Sequence, residues 1–386
     1  MTATDSRTTE GRLDAIPTGT GFTATVRRIT TYRILIGQAL TDELVSLLTP
    51  LVAHLGSPSI LIAADANIRR IVPRLVEQVG AIGVPTTVTW LPTGEITKSL
   101  TGLQTLWNAL GQASASRRSL LIGLGGGVIC DLTTLAAATY MRGLPYVLIP
   151  TTVLAQVDAA IGGKGGIDYD DSKNLLGAFH HPTEVIIDTD LTSTLSARHI
   201  RSGLAEVIKI ALIADPDLFT VLENHTDHLP DGPALTQIVR TAVATKLTLL
   251  ADDPFEHGDL RRPLNLGHCF GHPIEAASGY RMPHGEAVAA GIAITTAIAH
   301  THGLATTADR TRIINLLAAY RLPTSIPPTL RETVWQGLET IRRIRNGSLQ
   351  LVVPYRPGVC GVIADIDDTE FDSALTDLDR LTRTRR

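Results

Sequence analysis

Residues 119–131 read SLLIGLGGGVICD, an apolar run, then Gly125, Gly126 and Gly127, then a second apolar stretch ending in Asp131. A short apolar run bounded by glycines has the pattern of a buried strand. Glycines at its end let backbone amides approach a ligand, and the N-terminus of a following helix favours the negative charge of a diphosphate. The segment is not the dinucleotide fingerprint G-x-G-x-x-G, because position 128 is Val, and a plain tight turn explains the glycines equally well. Either way, strand passes directly into helix, which is the unit of an α/β fold.

The same unit recurs on both sides. YRILIG (32–37), SILIAAD (59–65), VTWL (88–91), YVLIP (146–150) and EVIID (184–188) are short apolar runs, and LTDELVSLLTPLVAHL (40–55) is a helical stretch among them. Strands alternating with helices predict a largely parallel sheet. After about residue 195 the apolar period becomes 3.6, in LAEVIKIALIA (204–214), ALTQIVRTAVATKLTLLA (234–251) and GEAVAAGIAITTAIAHTHGLA (285–305), with one late strand-like run, LQLVVP (349–354). The expected division is a disordered tail over 1–25, an α/β domain over 26–195 and a helical domain over 196–375.

At 386 residues the chain is long enough for two domains with separate cores. Aromatic residues are only 4 %, so Ala, Val, Ile and Leu must fill those cores. A net charge of -4 gives no general attraction to nucleic acid or to an anionic membrane. Cys130, Cys269 and Cys360 are too few for a disulfide framework, which points to a reducing compartment. With no signal-peptide pattern and no apolar run of membrane-spanning length, a cytoplasmic protein is expected.

The chemistry is concentrated in residues 267–286, GHCFGHPIEAASGYRMPHGE. His268 and His272, four apart, share a helix face, and a loop could fold His284 back onto them. Histidines of an ordinary amphipathic helix have the same spacing. Upstream, RGLPYVLIPTTVLAQVDAAIGGKGGIDYDDSKNLLGAF (142–179) sets Arg142, Asp158, Lys164, Lys173 and Asn174 among glycines and small apolar residues. Charge in such surroundings needs partners, and an anionic ligand would supply them. Glu206 and Lys209 lie three apart on an apolar helix, an arrangement that a structural ion pair also explains. Lys246, Arg261 and Asn265 lead into His268.

GLGGGVICD, ATYMRG, PTT-x-LAQVDAAIGGK, SKNLLGAF, SGLAEVIK, LNLGHCFGH and PHGEAV stand in the order seen in 3-dehydroquinate synthases, and the chain resembles that family of sugar phosphate cyclases over about residues 30 to 360. The resemblance implies an N-terminal Rossmann-like NAD-binding domain, a helical metal-binding domain, a catalytic zinc replaceable by cobalt, and a homodimer. Carried over by position, Glu206, His268 and His284 resemble the zinc ligands. His272 then resembles a substrate contact and proton relay, with Lys164, Asp158, Lys209 and Asn174 beside it in catalysis. Substrate binding would add Arg142, Lys246, Arg261, Asn265 and Arg343. The NAD positions are Asp65, Asn67, Glu95, Lys98, Gly126, Gly127, Asp131, Thr151, Thr152, Lys173, Thr194 and Leu195.

In this family NAD transiently oxidises a secondary alcohol, phosphate leaves by β-elimination, the hydride returns and an intramolecular aldol closes the ring. The leading expectation is 3-dehydroquinate synthase activity on 3-deoxy-arabino-heptulosonate 7-phosphate. Relatives making valiolone-type or aminocyclitol rings from sedoheptulose 7-phosphate or glucose 6-phosphate lack a substrate carboxylate and usually change the residues resembling Arg261, Asn265 or His272, which this chain keeps. The alternative is such a cyclase of secondary metabolism, because Arg343 stands where the synthases usually have lysine, Gly165 replaces a usual threonine and His199 a usual glutamate. An NAD- and metal-dependent polyol dehydrogenase of related fold is a third reading.

Overall fold

The computed structural model describes residues 9–18, 20–70, 72–170, 172–258 and 263–383. They form two compact units, one running to Pro150 and including Gly163–Asp188, the other made of Thr151–Gly162 and everything from Thr189 onward.

In the first unit, β1 (Thr9–Thr18) and β2 (Gly21–Thr30) form an antiparallel hairpin in which Leu13 lies opposite Val26. From Thr9 onward, therefore, the tail expected over 1–25 is a strand and part of its partner. Thr and Arg dilute its apolar residues, but Leu13, Ala15, Ala24 and Val26 alternate onto one face around the turn, with Asp14, Ile16, Thr23 and Thr25 on the other.

Next in the chain are β3 (Arg33–Gly37), α1 (Leu44–Leu55), β4 (Ile60–Asp65), α2 (Val72–Gly80), β5 (Thr86–Leu91), α3 (Leu100–Gln112), β6 (Leu120–Gly125), α4 (Gly127–Thr139), β7 (Tyr146–Pro150), the hairpin β8 (Lys164–Tyr169) with β9 (Ser172–Phe179), and β10 (Glu184–Asp188). Six strands make a wholly parallel sheet in the order β3-β10-β7-β6-β4-β5. β6, β7 and β10 are buried along their whole length and β4 along all but its last residue, while the edges β3 and β5 are half-open. That accounts for the unbroken apolar runs, because a parallel strand covered on both faces has no polar side to alternate with. Each such Leu or Ile contributes about 2 kcal/mol over its exposed state.

The chain leaves β4 for β5 at one edge and returns to β6 on the opposite side of β4, so the winding reverses between β4 and β6. In doubly wound sheets the crevice at the carboxyl ends of such a pair is where ligands bind. Asp65 ends β4 and Gly125 ends β6. A side chain at Gly125 would lie 2.6 Å from Ile129, so only glycine permits so tight an entry into α4. α4 starts at Gly126 with no side-chain cap, leaving its first amides for a ligand.

The second unit contains α5 (Ala197–Ala214), α6 (Pro216–Glu223), α7 (Gly232–Leu250), α8 (His268–Ala277), α9 (His284–Thr301), α10 (Thr307–Ala319), α11 (Arg331–Ile344), the hairpin β11 (Leu351–Arg356) with β12 (Val359–Ile363), and α12 (Asp368–Arg383). α9 is apolar on every side and packs against α5, α8, α10 and α12, as expected of a central helix. Glycines set the closest approaches: a Cβ at Gly285 would lie 1.7 Å from the Ser202 carbonyl of α5, and one at Gly291 2.1 Å from the Gly267 carbonyl before α8. Residues 151–162 belong to this unit because Gly203 of α5 packs directly on Val153. Among the described residues no helix is long and apolar enough to cross a membrane.

Ser196 caps α5 by accepting the His199 amide, and His199 Nδ1 lies 3.2 Å from its hydroxyl. Glutamate at this third position would complete a capping box, so His199 keeps one half of that device and loses the other.

Candidate active site

The apolar face of α5 carries two ionisable residues, Glu206 and Lys209, at 0 % and 2 % exposure. Lys209 Nζ lies 2.5 Å from Glu206 Oε2 and 3.6 Å from Asp158 Oδ2. Asp158 comes from Ala155–Ala159, a single π-helical turn closed by the Ala160 amide on the Ala155 carbonyl at 3.0 Å. Lys246 of α7 donates to the Asp158 carboxylate and, at 2.6 Å, to its carbonyl. Burial works to raise the Asp158 carboxyl, but Lys209 and Lys246 hold it well below the usual range. Lys209 is likewise raised, its two carboxylate neighbours outweighing its burial.

α8 and α9 bring three histidines to the same place. His268 Nδ1 donates to the Leu266 carbonyl at 3.1 Å, which fixes the tautomer and leaves the Nε2 lone pair 3.7 Å from Glu206 Oε1. His284, the first residue of α9, has Nε2 3.3 Å from Glu206 Oε1 and Nδ1 2.9 Å from Glu275 Oε2. The ligand atoms of Glu206, His268 and His284 all lie within 4.8 Å of one another. Burial, then the charge of Lys209, lower His268 to about 4, so its imidazole is neutral at pH 7. Burial opposes a charge on His284, yet Glu275 and Glu206 raise it to about 10. Burial would also raise Glu206, but Lys209 and the two histidines bring it to about 2.

Neither buried oxygen of Glu206 accepts a hydrogen bond of normal geometry, despite these close charges. A carboxylate so placed, facing a neutral imidazole, fits a divalent cation, and the mixed set of one carboxylate and two imidazoles leaves coordination positions open. His272, whose ring centroid lies 5.3 Å from that of His268, joins the cluster with His284 and Glu275 in a second group of possible ligands. The H-x-x-x-H pair thus shares one face, as its spacing predicts.

In the first unit the positions that the resemblance assigns to NAD are bonded in two separate groups. Asp65 Oδ1 accepts the Asn67 amide and the Thr93 hydroxyl at 2.8 and 2.9 Å. Lys98 pairs with Asp131 at 2.5 Å and Lys173 with Glu95 at 2.7 Å, in buried or partly buried positions. The Asp168 amide donates to the Lys98 carbonyl and the Asn174 amide to the Asp168 carboxylate, both at 2.9 Å. The last part of the segment in which an anionic ligand was expected to partner the charges is the β8–β9 hairpin, with Lys164 and Asn174 exposed on it. Its interior glycines hid the strands: a Cβ at Gly165 would lie 2.6 Å from the Leu135 amide nitrogen of α4, so threonine has no room there. Arg142 is exposed within a run of positive φ from Met141 to Gly143.

Thr151, Thr152, Thr194 and Leu195 belong to the second unit, where Thr152 Oγ1 accepts the Ala155 amide at 3.2 Å. Asn265 is exposed just before α8, Gly126 and Gly127 open α4, and Arg261 lies outside the described residues. Arg343 is exposed and donates to Thr340 of its own helix, whereas Arg345 reaches Cys269 Sγ at 3.2 Å, next to His268. Glu275 is the residue that the sequence reading missed. The signal available in the sequence was its spacing, since seven residues after His268 it falls on the His268–His272 face of α8, and the structure buries it there.

The family model described as the 3-dehydroquinate synthase N-terminal region matches residues 88–202, and the corresponding C-terminal model matches 203–342. The chain is 43 % identical over 92 % of its length, and 90 % of the relative, to a 2-epi-valiolone synthase of Stigmatella aurantiaca (strain DW4/3-1). It is 40 % identical over 72 % of its length, and 80 % of the relative, to a 3-dehydroquinate synthase of Pseudoalteromonas translucida (strain TAC 125). The solved 2-epi-5-epi-valiolone synthase of Streptomyces hygroscopicus subsp. jinggangensis 5008, with NAD+ and Zn2+ bound, superposes with a TM-score of 0.84 at 29 % identity, over 92 % of this chain and 99 % of that one.

Proposed function

The chain belongs to the 3-dehydroquinate synthase family of sugar phosphate cyclases, and from that premise we propose that it is a cyclase of the 2-epi-valiolone type, closing sedoheptulose 7-phosphate to a cyclitol ketone with release of phosphate. What carries this reading is the extent of likeness, 43 % identity across 92 % of the chain against 40 % across 72 % for the 3-dehydroquinate synthase relative. The leading expectation from sequence was the acid substrate, and that becomes the second reading. Its support is that Arg261, Asn265 and His272 are all kept, since a guanidinium suits a carboxylate.

Glu206, His268 and His284 would hold Zn2+ or Co2+, which when bound supplies a Lewis acid for a substrate oxygen. The open end of α4 at Gly126 and Gly127, with Asp65, Asn67, Glu95, Lys98, Asp131 and Lys173, would hold NAD, which supplies reversible hydride transfer. Lys209 and Lys246, buried as ammonium groups, present fixed positive charge away from water, where it acts most strongly on an anionic substrate. Asp158 keeps both charged until substrate arrives. His272 would relay protons, and Lys164, Asn174, Arg142, Asn265, Arg261 and Arg343 would bind the sugar phosphate.

Phosphate release measured over sedoheptulose 7-phosphate, 3-deoxy-arabino-heptulosonate 7-phosphate and glucose 6-phosphate, with NAD and Zn2+, tests the assignment. Turnover of the first without net NADH is expected. Turnover of the acid alone establishes the second reading, and NADH accumulating with a polyol a dehydrogenase.

A homodimer forms part of the proposal, supported by the apolar face of the β1–β2 hairpin. Leu13, Phe22 and Val26 lie on that face and are all more than 60 % exposed, whereas a two-stranded hairpin needs further packing for stability. Phe22→Glu together with Val26→Glu is expected to halve the mass seen by light scattering; an unchanged dimer would remove the hairpin from the interface.

A further inference from the structure

Glu275 lies beside the three-ligand cluster but outside the roles of metal, cofactor and substrate binding given above. We propose that it is a positioning residue for the metal centre, its carboxylate receiving the Nδ1–H of His284 and so directing Nε2 of that ring towards Glu206. The inference rests on the metal reading of Glu206, His268 and His284.

His284 opens α9, so no preceding helical turn packs against its ring. Its Nδ1 is held by Glu275 Oε2 at 2.9 Å, while Nε2 lies 3.3 Å from Glu206 Oε1 without a hydrogen bond of normal geometry, and the rings of His268 and His272 stand beside it. Glu275 is 3 % exposed, and its carbonyl accepts the Ser278 hydroxyl and the Tyr280 amide, at 2.8 and 2.9 Å, closing the end of α8. One residue therefore ends α8 with its backbone and anchors the start of α9 with its side chain. His268 has a counterpart in the Leu266 carbonyl, so both imidazoles donate Nδ1–H outward and present Nε2 inward. Such partners fix tautomer and ring direction, and losing one typically lowers metal affinity roughly 10- to 100-fold.

The competing role is that of a ligand in the group His272, Glu275 and His284. Chelation by Glu275 together with the His284 nitrogen that faces it would use the Nδ1 lone pair, on the nitrogen that hydrogen-bonds to Glu275. An imidazole offering Nε2 to one cation and Nδ1 to another would have to lose both protons, whereas a single cation at Glu206 requires the loss of only one.

The test is a Zn2+ titration of metal-free protein against a chromophoric chelator, with Co2+ absorption spectra and thermal unfolding of each apo form, for wild type, Glu275→Gln, Glu275→Ala and His268→Ala. Expected are one ion per chain in wild type and roughly 10-fold or greater loss of affinity in Glu275→Gln at an unchanged apo melting temperature. The cobalt spectrum should keep the wild-type coordination number. Glu275→Ala should lose at least as much; should it fail to fold, the near-isosteric Glu275→Gln decides. Wild-type affinity in Glu275→Gln overturns the inference alone. So does a second ion in wild type that Glu275→Gln loses, since Glu275 is then a ligand. Wild-type protein that binds no ion overturns the metal reading itself.

Discussion

His268→Ala is expected to reduce metal-dependent phosphate release by roughly 1000-fold or more, the several kcal/mol that Lewis-acid polarisation supplies. Only Glu206 and His284 would remain as ligands, and Glu206 would keep a buried negative charge facing Lys209 with one neutral donor fewer. Metal content after dialysis should fall in parallel, while the fold persists because the hydrogen bond lost is a single one to the Leu266 carbonyl. A zinc-loaded His268→Ala protein turning over at the wild-type rate would sink the ligand assignment.

Gly285→Ala should produce the second large effect, and it acts on packing rather than on a ligand. The new methyl group would fall 1.7 Å from the Ser202 carbonyl, and the Gly285 amide also donates to Ser202 Oγ at 3.0 Å, so α5 and α9 meet with no spare room. Relief requires the helices to part, at a cost of about 3 kcal/mol or more for overpacking. Glu206 is on α5 and His284 adjoins Gly285, so separation also pulls the ligand set apart. Thermal unfolding and zinc affinity should fall together; a variant that loses stability but keeps full affinity would show that the glycine contact does not hold the site.

Much of the sheet was legible because parallel strands covered on both faces are apolar through their middles, as residues 60–64, 120–124, 146–149 and 185–187 are. The helices of the second unit were equally plain, since Leu204 to Ile213 and Ala287 to Ala299 have no other way to bury their surface. Strand order was not legible, because the return past β4 is a long-range choice that no local pattern records. The β8–β9 hairpin was hidden by its glycines, of which Gly165 lies against α4 and Gly177 against the paired strand, and which weaken the strand signal where packing is tightest. In the site, spacing paired His268 with His272, but spacing alone could not bring in Glu206 or reveal what Glu275 does, because both depend on how α5, α8 and α9 meet.

The π-turn at Ala155–Ala159 makes the direction of Asp158 depend on residue count. A turn closed over five residues instead of four holds one more residue than an α-turn would need. Removing one residue would let the segment relax to α-geometry and rotate the residues beyond it by about 100°. Asp158 would then swing away from Lys246, and two buried ammonium groups would face each other with less anionic charge between them. In this stretch, length is as much a chemical property as side-chain identity.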